Sequence, residues 1–154
     1  MNTIFKHAIC IVALAAASVL TPAPAAAQDA VSLDSEVQVA KDVDGVTTYV
    51  APEQVFPGDR LKFVTRYDNS GAEPAEDFVI TNPLPGAVSL AEDGDFLVSV
   101  DGGESFGRLS GRTVAAEDGT QRPAELSDVT HVRWIIPSIA PGESGEAIFF
   151  AQVK

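Results

Sequence analysis

Residues 56–85 read FPGDRLKFVTRYDNSGAEPAEDFVITNPLP, and this stretch decides the fold. A turn at Pro57-Gly58 leads into a run in which apolar and polar residues alternate, the period of a strand with one buried face. The residues of the predicted buried face are Leu61, Phe63, Thr65 and Tyr67. Asn69-Ser70-Gly71 ends this run, and a second apolar run at 78–81 stops at Pro83, because proline cannot donate to a sheet ladder. The stretch therefore predicts two strands joined as a β-hairpin.

The rest of the chain shows further alternating runs and turn signals. The predicted strands are 31–43, 46–50, 88–90, 96–100, 106–109, 128–136 and 146–154, with one more short strand at 112–115 in an otherwise irregular loop from 111 to 124. Asp44-Gly45 is typical of a hairpin turn, and Asp101-Gly102-Gly103 predicts a hairpin between 96–100 and 106–109. No segment after Leu20 has a sustained helical period. The sequence therefore predicts an all-β domain over residues 28–154, an antiparallel β-sandwich of about seven or more strands.

Short motifs of the chain follow one another in a recognisable order. They are PGD (57–59), NSG (69–71), TNPLPG (81–86), VSVDGGESFG (98–107), VTHVRW (129–134) and APGESG (140–145). Their order resembles the domain of unknown function eleven family, a bacterial and archaeal surface module, over residues 50–153. The resemblance implies an immunoglobulin-like β-sandwich on a secreted or envelope protein, with no activity attached. Repeats are common in that family, whereas this sequence contains a single copy.

The buried faces of the predicted strands give a candidate core. It consists of Leu61, Phe63, Tyr67, Phe78, Ile80, Val98, Val132, Trp134 and Phe149. The last strand is apolar on both faces, because Ile148 and Phe150 alternate with Phe149. Either the 111–124 loop or the N-terminal segment covers these two side chains, or they form an exposed patch that meets a partner. Ile148 and Phe150 are thus the candidate interaction residues.

The first 27 residues are typical of a Sec-type signal peptide. Lys6 precedes an apolar run from Ile9 to Leu20, and Ala25-Ala26-Ala27 offers small residues for cleavage. An uncleaved anchor would need about 20 apolar residues, more than this run provides. Cleavage after Ala27 would remove Cys10, the only cysteine, so the fold would hold without disulfides. We therefore expect an exported protein, in the periplasm, at the cell surface or outside the cell, that does not insert in a membrane after cleavage.

After residue 27 the chain is acidic, and its carboxylates are spread along the sequence. Without Lys6 it has nine basic and 22 acidic residues, a net charge of −13. Such a charge disfavours nucleic acids and anionic membranes as partners, because their phosphates would be repelled. Either solubility outside the cell or a cation-binding role explains it.

The sequence contains no complete catalytic motif. After residue 27 it lacks a cysteine nucleophile, an H-E-x-x-H motif and a phosphate-binding glycine loop. His131 is the only histidine after that point, and Ser127 and Asp128 are too close to it in sequence to indicate a triad. We therefore predict no enzyme activity and no catalytic or cofactor-binding residues.

Carboxylates on the predicted turns are weak candidates for calcium ligands, because hard cations bind oxygen. The candidates are Asp42, Asp44, Asp93, Asp95, Asp101 and Glu104. None of them completes an EF-hand pattern, and Asp-Gly is common in turns that hold no ion. Turns without metal are therefore the alternative to a weak extracellular calcium site.

These observations favour a secreted, non-enzymatic structural or protein-interaction module of the bacterial cell envelope or surface, whose partner is another envelope or surface protein. The alternative is a carbohydrate- or calcium-dependent adhesin. A sugar site would need an exposed aromatic ring, and Tyr49 is the candidate for it.

The strand predicted at 31–43 adds self-assembly to the possible modes of association. Its 13 residues would extend about 43 Å at roughly 3.3 Å per residue, about twice an ordinary strand. The predicted apolar face carries Val31, Leu33, Val37, Val39 and Val43. We expect the strand either to bend and join both sheets of its own sandwich, or to leave the domain and pair with the sheet edge of another molecule.

Overall fold

The computed structural model describes residues 30–154, so the predicted signal peptide lies outside the described residues. Strands account for most of this part of the chain. They are β1 (Val31–Val43), β2 (Val46–Val50), β3 (Arg60–Asn69), β4 (Ala75–Pro83), β5 (Val88–Leu90), β6 (Leu97–Ser99), β7 (Thr113–Ala115), β8 (Gln121–Pro123), β9 (His131–Ile139) and β10 (Ser144–Val153). Short 3-10 turns lie at Leu109–Gly111 and Leu126–Asp128. Within residues 30–154, no helix has the length and apolar character needed to cross a bilayer.

The strands form two main sheets that face each other. The larger has the order β2-β1-β3-β10-β5, the smaller has the order β4-β9-β6, and β7 and β8 form a separate hairpin. Every strand pair is antiparallel. The chain crosses between the main sheets after β3, β4, β5 and β9. The predicted all-β sandwich is confirmed.

The core lies between the two sheets and contains every residue predicted for it. Trp134 of β9 packs edge-on against Phe96, with ring centroids 5.4 Å apart, and lies 6.2 Å from Phe149 of β10. Phe149 in turn stacks on Phe63 of β3 at 4.5 Å. Phe63, Tyr67 and Trp134 are partly buried, whereas Phe149 is 1% exposed. Burial of these rings holds the sheets together.

The predicted hairpin between β3 and β4 is wrong, because the two strands belong to different sheets. The chain turns between the sheets at Asn69, whose side chain is fully buried. Its Nδ2 donates to the carbonyl oxygens of Glu73 and Ile139, at 3.0 and 2.8 Å, and its Oδ1 accepts from the N–H of Gly71. These hydrogen bonds direct the chain away from β3 instead of back along it.

The predicted hairpin between 96–100 and 106–109 is also largely wrong. Val98 and Gly107 form one isolated bridge, and residues 109–111 adopt a 3-10 turn. The strand predicted at 112–115 is confirmed as β7, but its partner β8 was not expected. Pro123 and the Glu117-Asp118-Gly119 run conceal β8 in the sequence, because both are signals of a loop.

β1 has the predicted bounds, but all of it belongs to the large sheet and none of it joins the small one. Residues 31–39 pair with β3, and residues 39–43 pair with β2. The predicted turn between β1 and β2 is confirmed: Asp44 and Gly45 have φ values of 56° and 78°, as a two-residue hairpin of this type requires. The long strand fits in one sheet because its two neighbours are offset along its length.

Candidate interaction surface

A row of apolar side chains on β1 and β2 lies on the core-facing side of the large sheet but is not covered by the small sheet. We call this row the apolar strip; it consists of Leu33, Val37, Val43, Val46 and Val50, which are 36–62% exposed. Cross-strand pairing places Leu33 beside Tyr67 and Val37 beside Phe63, whose rings contact the core. The strip is therefore an extension of the core face into solvent, and the predicted burial of this face of β1 is wrong for these positions.

An exposed aromatic ring continues the strip beyond β2. Phe56 is 55% exposed and lines a groove of about 480 Å³ together with Val50, Lys41 and the 51–54 segment. Val55 beside it is 41% exposed. Sequence reasoning missed Phe56 and the valines of β2 as surface features. The alternation of the β2 valines is the signal of a buried face, and it carries no information about how far the opposing sheet extends.

The edge of β1 over residues 31–38 has no strand beside it among the described residues. These residues pair with β3 on one side, whereas β2 begins to pair only at Val39. Ser70 N donates to Ala30 O at the start of this ladder. Because hydrogen bonding alternates along an antiparallel strand, the even-numbered residues of β1 bond to β3 and the odd-numbered ones face the open edge.

The outer face of this region is acidic. Arg66 of β3 binds Glu36 at 2.8 Å and Glu146 at 3.0 Å, and Asp34 lies 3.9 Å away. The hydrogen bond from Arg66 lowers the pKa of Glu36, and the reciprocal contact raises the pKa of Arg66. One guanidinium is thus shared among three carboxylates, which leaves negative charge beside the open edge.

Ile148 and Phe150, the predicted interaction residues, lie half-buried on the outer face of the large sheet. The ring of Phe150 lies 5.8 Å from that of Tyr49 and has the Arg60 guanidinium 4.6 Å above it. Lys62 lies 5.8 Å from the Tyr49 ring. Tyr49 and Arg60, rather than the 111–124 loop, therefore contact Phe150, and the Tyr49 ring proposed for sugar stacking already has partners within the fold.

Asp101, one of the calcium candidates, is fully engaged with protein donors. Its carboxylate accepts hydrogen bonds from the Ser99 hydroxyl, from both the N–H and the hydroxyl of Ser105, and from Arg112. The hydroxyl of Ser105, then that of Ser99, holds the pKa of Asp101 well below its ordinary value. Four donors match the acceptor capacity of one carboxylate, so this group fixes its loop.

Three of the other acidic turn residues make local contacts. Asp42 accepts from Gly45 N and Asp93 from Gly94 N, each at 2.9 Å, while Asp95 binds Arg108 at 2.6 Å. Asp44 and Glu104 are exposed. Within residues 30–154, no three His, Cys, Asp or Glu side chains gather in an arrangement that could hold a metal ion.

The residues near the single histidine of this region have separate structural contacts. His131 is half-buried, and its Nδ1 lies 3.1 Å from the Thr130 hydroxyl. Asp128 binds Arg122 through both carboxylate oxygens at 2.7 Å and accepts from Glu125 N. The hydrogen bond from Arg122 lowers the pKa of Asp128. Asp128 therefore caps a turn and closes an ion pair.

Comparison of the chain with protein-family models, with curated proteins and with solved structures finds no match. The resemblance to the domain of unknown function eleven family therefore stays a prediction.

Proposed function

We propose that this chain is a secreted, non-enzymatic interaction module of the bacterial cell envelope, which binds another protein through β1 and β2. The observation that carries this proposal is the apolar strip, whose five side chains are 36–62% exposed on one face. Single exposed apolar residues are ordinary, but a row of them that continues a core face is typical of a protein–protein contact.

Export is supported by the sequence before the described residues. The charged start, the apolar run from Ile9 to Leu20 and the three alanines before Gln28 match a signal peptide. The acidic composition suits a protein that stays soluble outside the cell. The motif resemblance supports the same compartment.

The alternative function, a carbohydrate- or calcium-dependent adhesin, has less support from the geometry. The Tyr49 ring packs against Phe150 and Lys62, and the oxygens of Asp101 accept hydrogen bonds from the protein. Both groups would have to exchange these contacts for a ligand.

Photo-crosslinking in living cells tests the proposed function. A benzophenone side chain placed at Val46, which is 62% exposed on the strip, should give a discrete adduct in the envelope fraction of the native bacterium. The same group at Glu117, an exposed loop residue far along the chain, is the control and should give none. The absence of any adduct at Val46, or recovery of the protein in the cytoplasm with Met1 intact, would overturn the proposal.

A further inference from the structure

We propose that the open edge of β1, residues 31–38, binds an extended segment of a partner protein in which apolar residues alternate with lysine or arginine. This inference rests on the proposed interaction function and names the chemistry of the partner. The partner strand would join the large sheet antiparallel to β1, place its apolar side chains on the strip and place its cationic side chains on the acidic outer face.

The backbone of β1 supplies the first part of the argument. The odd-numbered residues Val31, Leu33, Ser35 and Val37 point their N–H and C=O groups away from β3, as the Ser70 N to Ala30 O bond fixes by alternation. These residues can form the ladder of an added strand without any change to the β1–β3 pairing. Strand addition of this kind derives its affinity from main-chain hydrogen bonds.

The sequence of this edge lacks most of the devices that block strand addition; its only charges are the carboxylates of Asp34 and Glu36, which the proposed cations would meet. Residues 31–38 read VSLDSEVQ and contain no proline, glycine or lysine. The edge strand of the small sheet differs: β4 ends at Pro83, and Asp77 interrupts it with a φ of 50°. One sheet edge is therefore protected, whereas the edge of β1 is long, regular and flanked by exposed Leu33 and Val37.

The charge pattern selects the chemistry of the partner. On its paired side, β1 faces a strand of the proposed type: Arg66 of β3 lies opposite Asp34, and the apolar Phe63 lies opposite Val37. The outer face still has an excess of carboxylate, because Arg66 also serves Glu36 and Glu146. A second strand with cations opposite Asp34 and Glu36 would balance this excess, since opposite charges across strands stabilise a sheet.

A second copy of this chain fits the edge less well. In the two antiparallel registers that overlap nearly all of residues 31–38 and keep the strips on one face, Asp34 lies opposite either itself or Glu36 of the other copy. Like charges directly opposite each other destabilise a sheet. Self-association is therefore an outcome that the test must distinguish.

Fluorescence anisotropy with synthetic peptides tests the inference on the full chain. The probe is a labelled peptide of five alternating valine and lysine pairs. Two controls have glutamate in place of lysine, or five lysines followed by five valines. Leu33→Pro removes an N–H from the open edge, whereas Leu33→Ala removes the same exposed side chain but keeps that N–H. Urea melts of both variants establish that they fold.

The alternating basic peptide should bind, and both control peptides should not. Leu33→Pro should weaken binding roughly tenfold, because it removes one main-chain hydrogen bond and disturbs the neighbouring ones. This loss of affinity should be clearly larger than that of Leu33→Ala. Asp34→Asn should weaken it about threefold. Equal binding of the three peptides, or equal effects of the two Leu33 variants, would overturn the inference.

Light scattering of the free protein completes the test. A monomer is expected; a dimer that Leu33→Pro dissociates would show that a second copy occupies the edge and would overturn the inference. If no peptide binds while the Val46 crosslink persists, the inference fails but the proposed interaction function stands.

Discussion

Replacement of Asn69 by alanine should be among the most destabilising changes outside the aromatic core. Asn69 is fully buried and makes three side-chain hydrogen bonds, to the carbonyl oxygens of Glu73 and Ile139 and from the N–H of Gly71. At about 1 kcal/mol net for each bond, Asn69→Ala should cost about 3 kcal/mol. A domain of this kind has a total stability of about 5–15 kcal/mol, so the loss is a large fraction of it.

Urea denaturation followed by tryptophan fluorescence measures this loss as a shift in midpoint at constant slope. Ser70→Ala is the matched control: the neighbouring serine is exposed, and its hydroxyl makes one bond to Ala30 O at 3.1 Å. It should cost less than about 1 kcal/mol, as surface substitutions usually do. A cost below about 1 kcal/mol for Asn69→Ala as well would refute the account of how the chain passes between the sheets.

Three further changes test the packing and the loop contacts. Trp134→Ala, which removes the only tryptophan, should cost about 3 kcal/mol in urea melts followed by circular dichroism, because the indole packs between two phenylalanine rings. A loss below about 1 kcal/mol would contradict its place in the core. Gly145→Ala should lower the free energy of unfolding by about 1–3 kcal/mol, because a Cβ there would overlap the Tyr67 ring. Gly86→Ala is the control and should be close to neutral, because the space around Gly86 is open. Similar losses for the two variants would disprove this packing. Asp101 has a pKa below its ordinary value of 3.8 in the fold, so its ionised form stabilises the protein above that pH and this contribution is lost as the pH falls. Urea midpoints between about pH 5 and about pH 2 should therefore fall less steeply in Asp101→Asn than in the wild type, and parallel curves would count against the loop network.

The strands were predictable because their side chains alternate with a strict period of two. The faces of β9 and β10 follow from this period alone, with Val132 and Phe149 buried and Ile135 exposed. Strand pairing was not predictable in the same way, because the decisive contacts join residues that are distant in sequence. The bond from Asn69 to Ile139 O, which separates β3 from β4, spans 70 residues.

The candidate surface shows the same limit. Alternation predicted an apolar face on β1, but whether that face meets another sheet depends on the width of the opposing layer. The small sheet has three strands and the large one has five, so Leu33 and Val46 lie beyond its reach. Conversely, Val64 faces outward on β3 and is only 1% exposed; it lies between Glu36 of β1 and Ile148 of β10 in the register of the sheet. Neither the exposure of Leu33 and Val46 nor the burial of Val64 could be predicted from the sequence of one strand alone.

Amide hydrogen exchange measured by NMR tests the open edge of β1 most directly. In the free protein, the N–H groups of Asp34 and Glu36 bond to β3 and should exchange slowly, whereas those of Leu33, Ser35 and Val37 should exchange quickly. The alternating valine–lysine peptide should slow exchange at these three odd-numbered positions. Equal protection of odd and even positions in the free protein would show that the edge is already covered, and would contradict the proposed binding edge.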